Sequence, residues 1–497
     1  MNKIIYIIMC SCTIMGLMFT SCDDFLEITP EGQVKRDQLL STEEGIEDAL
    51  YGVYAQLCST SLYGQELSFS SLEIMAQSLW CYGNMSSAKA INALGSFDYT
   101  YSAVENLFES VWTEMYKNIS NVNSVINSSL IERASEYPYT IYRGEAYALR
   151  AFMHFDLVRL FAEQYTVNPN AEGIPYATEF SLNTPDFESL AKNYEHILAD
   201  LHEAEKMLEN EDDYENTSNF MLDRQIHLNK YAVKALLARV YLTMGNKEKA
   251  LDYALDVIES GKYTLKEKTE VQNDLAGVLS RKETLWGIYS SGFYTQVNAK
   301  LQQTTSYYSL DLRNDFMTLY ETDASGIDFR VTAYFSTVDQ GGSPKYRLSK
   351  LTDIYELNNM AGSRPSDLIL GINLIRIPEM YYIAAEALLD TDYDLALHYY
   401  NEVRTHRGLD PLGKSSSTIN TEEDESGSII GTTTTDSLTI ARINDERYKE
   451  YIGEGQSFFN MKRLNQPILS HDGVTTYAAS KNIYVVPIPD IEMENRN

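Results

Sequence analysis

Cys22 is the residue whose surroundings most clearly predict a chemical reaction. It follows a segment with one lysine, Lys3, and an almost unbroken apolar run that ends in the small residues Thr20 and Ser21. This order is typical of a secretory signal peptide over residues 1–21, and it is too short and lopsided for a stable membrane span. Cleavage before Cys22 would free its thiol and amine for acylation, and several acyl chains hold a protein durably on a bilayer. The sequence therefore predicts a lipid-anchored protein; ordinary secretion, with Cys22 left as a thiol, is the alternative.

The other reactive side chains form no recognisable catalytic or metal-binding motif. The seven histidines include no pair four residues apart, so no helix would present two imidazoles to one metal ion. The sequence also lacks the His-Glu-x-x-His, Gly-x-Ser-x-Gly and phosphate-binding glycine patterns. His154 lies within an apolar helical pattern, and we interpret it as a hydrogen-bonded core histidine. The sequence predicts no enzyme, no cofactor and no metal site, although 71 acidic residues leave a paired-carboxylate glycosidase open.

Composition restricts the class of ligand. Forty basic and 71 acidic residues give a formal net charge of −31, and such a surface repels nucleic acids and anionic membranes. Neutral or cationic ligands remain compatible, although the acidity can equally serve solubility alone. The 37 tyrosines offer flat apolar faces with polar tips, which suit sugar-binding surfaces, but most of them are expected in packing. Only Cys58 and Cys81 remain after the signal segment and Cys22, so stability must come from a core.

Helical periodicity dominates the chain and predicts a mainly α fold. Residues 144–165 and 194–208 repeat apolar residues at three- and four-residue steps, and we expect the first segment to be a long amphipathic helix. Residues 231–260 and 379–409 each have the pattern of a tetratricopeptide helix pair, with alanines where the two helices meet. About 146 residues separate the two units, which favours a helical layer with inserted loops over an open solenoid.

Two insertions differ in composition from the helical segments. Residues 262–350 mix the β-like pieces "ETLWGIY" and "DFRVTAYF" with glycine, serine and asparagine, so we expect a few short strands there. Residues 409–438 are polar and poor in aromatic residues, and we predict a mobile surface loop. Function commonly lies on loops that a rigid scaffold holds in place.

Six longer motifs follow one another from Cys22 to the C-terminus. They are "CDDFLEITPEGQV", "RGEAYALRAFMHFDLVRLF", "LNKYAVKALLARVYLTMGNKEKALDYALDVIESGKYTL", "NLIRIPEMYYIAAEALL", "INDERYKEYIGEGQSFFNMKRLN" and "YVVPIPDIEMENRN". Together they resemble the SusD/RagB family of Bacteroidota outer-membrane lipoproteins. The resemblance implies one domain over residues 22–497, in which tetratricopeptide-like helix pairs carry large irregular loops. The scaffold would occupy about 40–60, 100–262 and 375–465, and the ligand-binding insertions about 60–100, 263–370 and 409–438.

The same resemblance implies a function. Members of the family are surface-exposed binding proteins without catalysis, and each acts as the lid of a SusC-like TonB-dependent transporter. They capture oligosaccharides, or in some cases peptides, for import. Cys22 would be the lipid anchor, and the pair Asp23 and Asp24 is similar to the signal that directs such lipoproteins to the outer face of the outer membrane.

Ligand sites in this family are built from the loop after the first helices and from the central insertion, which correspond here to residues 78–87 and 289–308. Aromatic faces there would cover the C–H side of a sugar ring, and amides would pair with its hydroxyls. Packing of Trp80 beneath its own loop is the alternative, and we expect Trp112 and Trp286 in the core. The predicted ligand-binding residues are Trp80, Tyr82, Asn84, Tyr289, Tyr294, Tyr307 and Tyr308.

Three other functions remain compatible with the residues alone. A peptide or protein ligand, as in import of the RagB type, would suit the excess of acid if the ligand is cationic. A structural adaptor would use the helix pairs only to hold a partner chain, and a glycosidase would need a carboxylate pair. The resemblance favours an oligosaccharide-capturing lipoprotein over all three.

Overall fold

The computed structural model describes most of the 497-residue chain, and within the described residues the fold is mainly helical, as the sequence predicts. The described residues are 36–81, 86–132, 135–181, 185–213, 219–272, 279–301, 310–313, 315–320, 327–340, 343–352, 369–413, 416–423, 429–494 and 496.

Nine of the described helices form the scaffold. From the first to the eighth, each packs on the next, and the ninth packs on the seventh. They are α1 (Glu43–Leu57), α2 (Ser102–Ile126), α3 (Tyr139–Phe161), α4 (Leu190–Leu208), α5 (Lys230–Thr243), α6 (Lys247–Glu259), α7 (Pro378–Leu388), α8 (Tyr393–His406) and α9 (Ile440–Glu450).

Short polar side chains determine where several of these helices begin. The residue before the helix accepts a hydrogen bond from a backbone N–H of the first turn, which otherwise has no partner within the helix. The residues that do so are Thr42, Ser189, Asn229, Asn246, Asp392 and Thr439.

Helix α3 lies at the centre of the scaffold. Of its 23 residues 19 are buried, because α1, α2 and α4 pack around it. The expectation of an amphipathic helix over 144–165 is therefore wrong about its environment, since a helix that is buried on every side has no polar face. Its charged residues are paired instead, and the Arg150 guanidinium donates two hydrogen bonds of 2.7 Å to Asp200.

The two predicted helix pairs are confirmed and lie side by side. Helices α5 and α6 form the first pair, and Gly245 makes the turn between them with a φ of +79°. Helices α7 and α8 form the second pair, and α6 packs directly on α7. The residues between the pairs therefore leave the helical layer and return to it, as the interrupted pattern predicts.

The strands of the described chain form antiparallel pairs. "ETLWGIY" contains a strand, as predicted, but most of "DFRVTAYF" forms the helix Arg330–Tyr334, whose Arg330 pairs with Asp328 and Glu446. The pairs are β1 (Leu79–Trp80) with β5 (Asp311–Leu312), β2 (Glu172–Pro175) with β3 (Phe187–Ser189), β4 (Thr284–Tyr289) with β8 (Gly371–Arg376), β6 (Phe335–Gln340) with β7 (Ser343–Leu348), β9 (Ser416–Glu423) with β10 (Ile429–Asp436), and β11 (Ile468–Leu469) with β12 (Thr476–Tyr477).

The predicted loop over 409–438 is wrong for most of its length. Strands β9 and β10 pair in register from Ser416 with Asp436 to Glu423 with Ile429. Threonine and isoleucine are frequent in both strands, and β-branched residues favour an extended backbone even where the composition is polar.

Shorter helices connect these elements, and none of the described helices is long and apolar enough to cross a membrane. Trp286 and Trp112 are 0% and 3% exposed, which confirms their prediction as core residues. No disulfide bond joins Cys58 to Cys81. The shorter helices are Arg36–Leu39, Ser71–Met75, Ser86–Gly95, Ser129–Glu132, Glu211–Asp213, Asn219–Met221, Arg224–Ile226, Lys268–Gln272, Phe293–Leu301, Phe316–Leu319, Arg330–Tyr334, Ser457–Arg463, Lys481–Tyr484 and Asp490–Glu494.

Candidate functional site

Trp80 is the predicted ligand-binding residue with the most defined surroundings. It lies on the short strand β1, opposite Asp311 of β5. Its indole stacks on the imidazole of His471, with ring centroids 3.5 Å apart and planes inclined by 7°. The benzo edge of the indole lies against Gly95, where an added Cβ would come within 2.1 Å of a ring carbon. These contacts leave Trp80 only 9% exposed.

One amide connects both neighbours of Trp80. The side-chain nitrogen of Gln77 donates to the Gly95 carbonyl at 2.7 Å, and its oxygen accepts from the backbone N–H of His471 at 3.0 Å. Gln77 has a φ of +60°, a left-handed conformation that costs a non-glycine residue some free energy, and its own buried hydrogen bonds offset that cost. Gln77 thereby fixes the position of the Trp80 ring relative to the turn that covers it.

A buried carboxylate anchors the same segment to the C-terminal part of the chain. Glu73 is fully buried and accepts hydrogen bonds from the backbone N–H groups of Gly453 and Gly455 and from the hydroxyl of Ser78. Burial raises the pKa of Glu73 from 4.5 to about 7, although these hydrogen bonds and Lys350 favour the ionised form.

Two other predicted ligand-binding residues, Tyr289 and Tyr294, lie within the described part of the chain. Tyr289, at the end of β4, is 54% exposed, and its carbonyl accepts a hydrogen bond from the thiol of Cys58. Tyr294, expected on the wall facing Trp80, lies in the core and is 1% exposed, because it belongs to the inward side of the helix Phe293–Leu301. In this structure Tyr294 is therefore a packing residue. The predicted residues Cys22, Asp23, Asp24, Tyr82, Asn84, Tyr307 and Tyr308 lie outside the described residues.

His471 was missed by the sequence-based prediction. It lies in the turn between β11 and β12, which Ser470 and Asp472 close with side-chain hydrogen bonds to the backbone of Thr475 and Val474. The Asp-Gly step at 472–473 between two short apolar runs was a signal for this hairpin. No local pattern predicts that this turn covers Trp80, which lies almost 400 residues earlier in the chain.

A cavity of about 300 Å³ is lined in part by residues close in the chain to Trp80 and His471. The segments that carry the two rings also line the cavity, through Ala76, Arg313 and Leu469. These segments are joined to one another, since the hydroxyl of Tyr448 donates to the Ala76 carbonyl and the Arg313 N–H donates to the Ser78 carbonyl, each at 3.0 Å. The stack and the cavity therefore share the segments that carry them, and we call the two together the Trp80 site.

The cluster of buried carboxylates around Glu450 has a structural role. Glu450 is fully buried and accepts hydrogen bonds from Arg330, Arg376 and Arg407. These guanidinium groups keep the pKa of Glu450 well below its ordinary value, despite the opposing effect of burial. A carboxylate held ionised among three arginines cannot donate a proton to a leaving group, so this cluster does not supply the acid that a glycosidase needs.

The histidines of the described chain do not form a metal centre either. Over the residues with assigned positions, no three His, Cys, Asp or Glu side chains lie close enough together to hold an ion. His154 is a core histidine, as predicted: it is fully buried, its Nε2 accepts from the Ala177 N–H, and its Nδ1–H donates to the Arg150 carbonyl. Burial lowers the pKa of His154 to about 3, so the ring is neutral.

Family models cover nearly the whole sequence. Residues 24–242 match a SusD-like model described as "Starch-binding associating with outer membrane", and residues 229–495, more than half of the chain, match the SusD family model. The chain belongs to the SusD family. Proteins of the SusD family are binding proteins associated with the outer membrane.

Individual relatives agree with this assignment. The SusD-like protein P2 of Formosa agariphila is 23% identical over 526 aligned positions, which cover 97% of this chain and 96% of the relative. A SusD superfamily protein from Bacteroides thetaiotaomicron is 25% identical, with a TM-score of 0.68 and coverage of 90% of this chain and 97% of that one. A SusD-like carbohydrate binding protein from Bacteroides vulgatus has the same fold, with a TM-score of 0.67 at 19% identity and coverage of 91% and 96%.

Proposed function

We propose that this protein is a cell-surface lipoprotein that captures an oligosaccharide and delivers it to a partner SusC-like TonB-dependent transporter in the outer membrane. The observation that carries the proposal is membership of the SusD family along nearly the entire chain. The carbohydrate binding named for the Bacteroides vulgatus relative supports a glycan as the ligand. Cys22 would hold the protein at the membrane, and Asp23 and Asp24 would direct it to the outer face.

The ligand would bind at the Trp80 site. An indole that is held on one face by an imidazole is rigid, so little conformational entropy is lost when a sugar contacts the part of the ring that remains exposed. Tyr289 is exposed and can contribute a second aromatic face. In this proposal Tyr82, Asn84, Tyr307 and Tyr308 complete the site, because the sequence places them in the two adjoining loops.

The test is isothermal titration of the chain from Asp23 onwards against a panel of oligosaccharides and a panel of peptides. Saturable heat with one glycan class, weakened at least tenfold by Trp80→Ala, is the expected result. The exposed Tyr346→Ala serves as the control, because Tyr346 lies on the hairpin of β6 and β7, outside the Trp80 site. Heat from peptides alone would replace the glycan with a peptide ligand of the RagB type, and silence on both panels would contradict capture by the isolated protein.

A further inference from the structure

Three arginines line the cavity of the Trp80 site. Arg159, Arg239 and Arg447 line it and are only 7%, 5% and 6% exposed, whereas Asp445 and Leu469 are exposed at its rim. Three nearly buried guanidinium groups that converge on one opening are unusual, because charged side chains are rarely buried without a purpose or a partner.

Each of these arginines has a carboxylate partner, so the cavity is not simply a positive pocket. Arg239 pairs with Glu379 at 2.7 Å, Arg159 pairs with Asp156, and Arg447 pairs with Glu386. Glu386 also pairs with Arg463, another residue of the cavity wall, and it therefore balances two cations. Burial lowers the pKa of Arg463, and the nearby Arg447 lowers it further against the effect of Glu386.

The carboxylates leave several hydrogen-bond donors unused. Within the described chain, Nη1 of Arg239, Nη2 of Arg447 and Nε of Arg159 have no acceptor, and all three atoms are buried. The hydroxyls of Tyr451 and Ser457, two further residues that line the cavity, also lack a partner.

Nearby amide oxygens do not supply the missing acceptors. The oxygen of Gln456 accepts from Arg159 Nη1, and the oxygen of Asn444 accepts from Asn460 and from Arg447 Nη1. A buried donor without an acceptor is unfavourable, so acceptors from outside the described protein, water or ligand oxygens, would stabilise the five donors around this cavity. Guanidinium groups bind the oxygens of carboxylates and sulfates better than neutral hydroxyls, because the hydrogen bonds are charge-assisted and can be bidentate.

We infer that this cavity is a subsite for an oxyanion, a carboxylate or a sulfate ester, carried by the captured ligand. Since the inference rests on the proposed function, it makes the ligand an acidic oligosaccharide, one that contains a uronic acid or a sulfated sugar. A neighbouring ring of the same ligand would pack at Trp80, and the acidic group would enter between Arg239 and Arg447. The net charge of −31 opposes the approach of such a ligand, but salt screens that long-range repulsion more than it weakens contacts inside the cavity.

The variants for the test are Tyr451→Phe and Ser457→Ala, singly and together. Both remove hydroxyls that form no hydrogen bond within the described protein, so thermal stability should be unchanged. Arg281→Gln is the control, because Arg281 is exposed and pairs with Asp223, away from the cavity. Replacing the cavity arginines themselves would leave Glu379 or Glu386 buried without a partner and would confuse binding with folding.

The experiment is calorimetric titration at constant ionic strength with three probes: an acidic oligosaccharide, its carboxyl-reduced neutral counterpart and a sulfated one. At least tenfold tighter binding of the acidic probe or of the sulfated probe is expected, weakened in the double variant and unchanged in Arg281→Gln. The comparison of the acidic with the sulfated probe identifies the oxyanion. Equal affinities for the acidic and neutral probes would overturn the inference while leaving the proposed function intact.

A second titration, with sodium glucuronate, sodium sulfate and, for comparison, glucose, distinguishes failure of the inferred subsite from failure of the proposed function. If every oligosaccharide fails to bind, the proposed function fails. Saturable binding of glucuronate or sulfate that is weaker in the double variant would still support the subsite, whereas absence of binding, or an affinity that is the same in that variant, would overturn it.

Discussion

Trp80 is only 9% exposed and stacks on His471, and this contact determines which substitutions are informative at the scale of single residues. Removal of Trp80 takes away the proposed binding surface and a packed ring at once. Removal of the His471 side chain takes away only the ring that stacks on Trp80. The two effects on ligand binding therefore have opposite signs.

We expect His471→Ala to lower the free energy of unfolding by about 0.5–1.5 kcal/mol, the usual contribution of an aromatic pair. Glycan affinity should be retained or increased, because one face of Trp80 becomes accessible. Urea denaturation and calorimetric titration measure the two quantities, and His398→Ala, on the exposed side of α8, is the matched control. A loss of binding in His471→Ala without loss of stability would mean that the imidazole itself contacts the ligand.

Glu73 predicts a dependence of stability on pH. Its pKa is 4.5 when unfolded and about 7 when folded, so the folded protein binds the proton more tightly. The resulting stabilisation is complete below about pH 4.5 and is lost as the pH rises through 7, and a shift of this size corresponds to about 3 kcal/mol. Glu73→Gln imitates the protonated carboxyl and should remove this decline.

Thermal melts between pH 5 and pH 8.5 test the Glu73 prediction. The difference in melting temperature between Glu73→Gln and the parent protein should grow with pH and favour the variant at the alkaline end. Parallel profiles would show that Glu73 does not titrate in this range. The control is Glu195→Gln, because Glu195 is exposed. Glu454→Gln is unsuitable, because Glu454 pairs with Arg376.

At the scale of elements, the sequence was most informative where a helix has one buried side. The pairs α5 with α6 and α7 with α8 follow from alanines at regular spacing. Periodicity predicted helix α3 but failed to predict that other helices enclose it, with polar residues such as Arg150 inside the core. It also failed for β9 and β10, where β-branched residues lie in a polar composition.

The site was only partly predictable for a related reason. Trp80 lies in a segment that family resemblance singles out. His471, which stacks on Trp80, and the arginines Arg239 and Arg447, which line the cavity, come from three distant elements. Their assembly depends on tertiary contacts such as the bridge of Gln77 to His471 and Gly95. No local pattern encodes those contacts, so the cavity could not be inferred before the structure.

Helix α3 supplies a prediction about the scaffold. Arg150→Ala would leave Asp200, which is 7% exposed, without its bidentate partner, although the hydroxyl of Tyr176 still donates to it. Loss of one member of a buried ion pair costs about 3–5 kcal/mol, and urea denaturation should show a decrease of that order. Lys192→Ala breaks the exposed pair with Glu195 on α4 and should leave stability nearly unchanged. Equal effects of the two substitutions would contradict the buried role of Arg150.

At the scale of the whole molecule, net charge and attachment are connected. A chain with a net charge of −31 is repelled by an anionic membrane surface. Electrostatic attraction therefore cannot hold this protein at a membrane. In our proposal the attachment depends on the acyl chains of Cys22 and on the partner transporter.

Cys22→Ser tests this dependence in cells. Without the thiol the anchor cannot form, and since each buried methylene of an acyl chain contributes about 0.8 kcal/mol, its loss removes most of the membrane affinity. We expect Cys22→Ser to move from the membrane fraction to the soluble fraction, with the thermal melt of the folded part unchanged. Cys58→Ser is the matched control, because Cys58 is a free thiol of the folded part and should not be acylated, so this variant should stay with the membrane. If Cys22→Ser remained in the membrane fraction of cells that lack the partner transporter, an attachment other than acylation would be required.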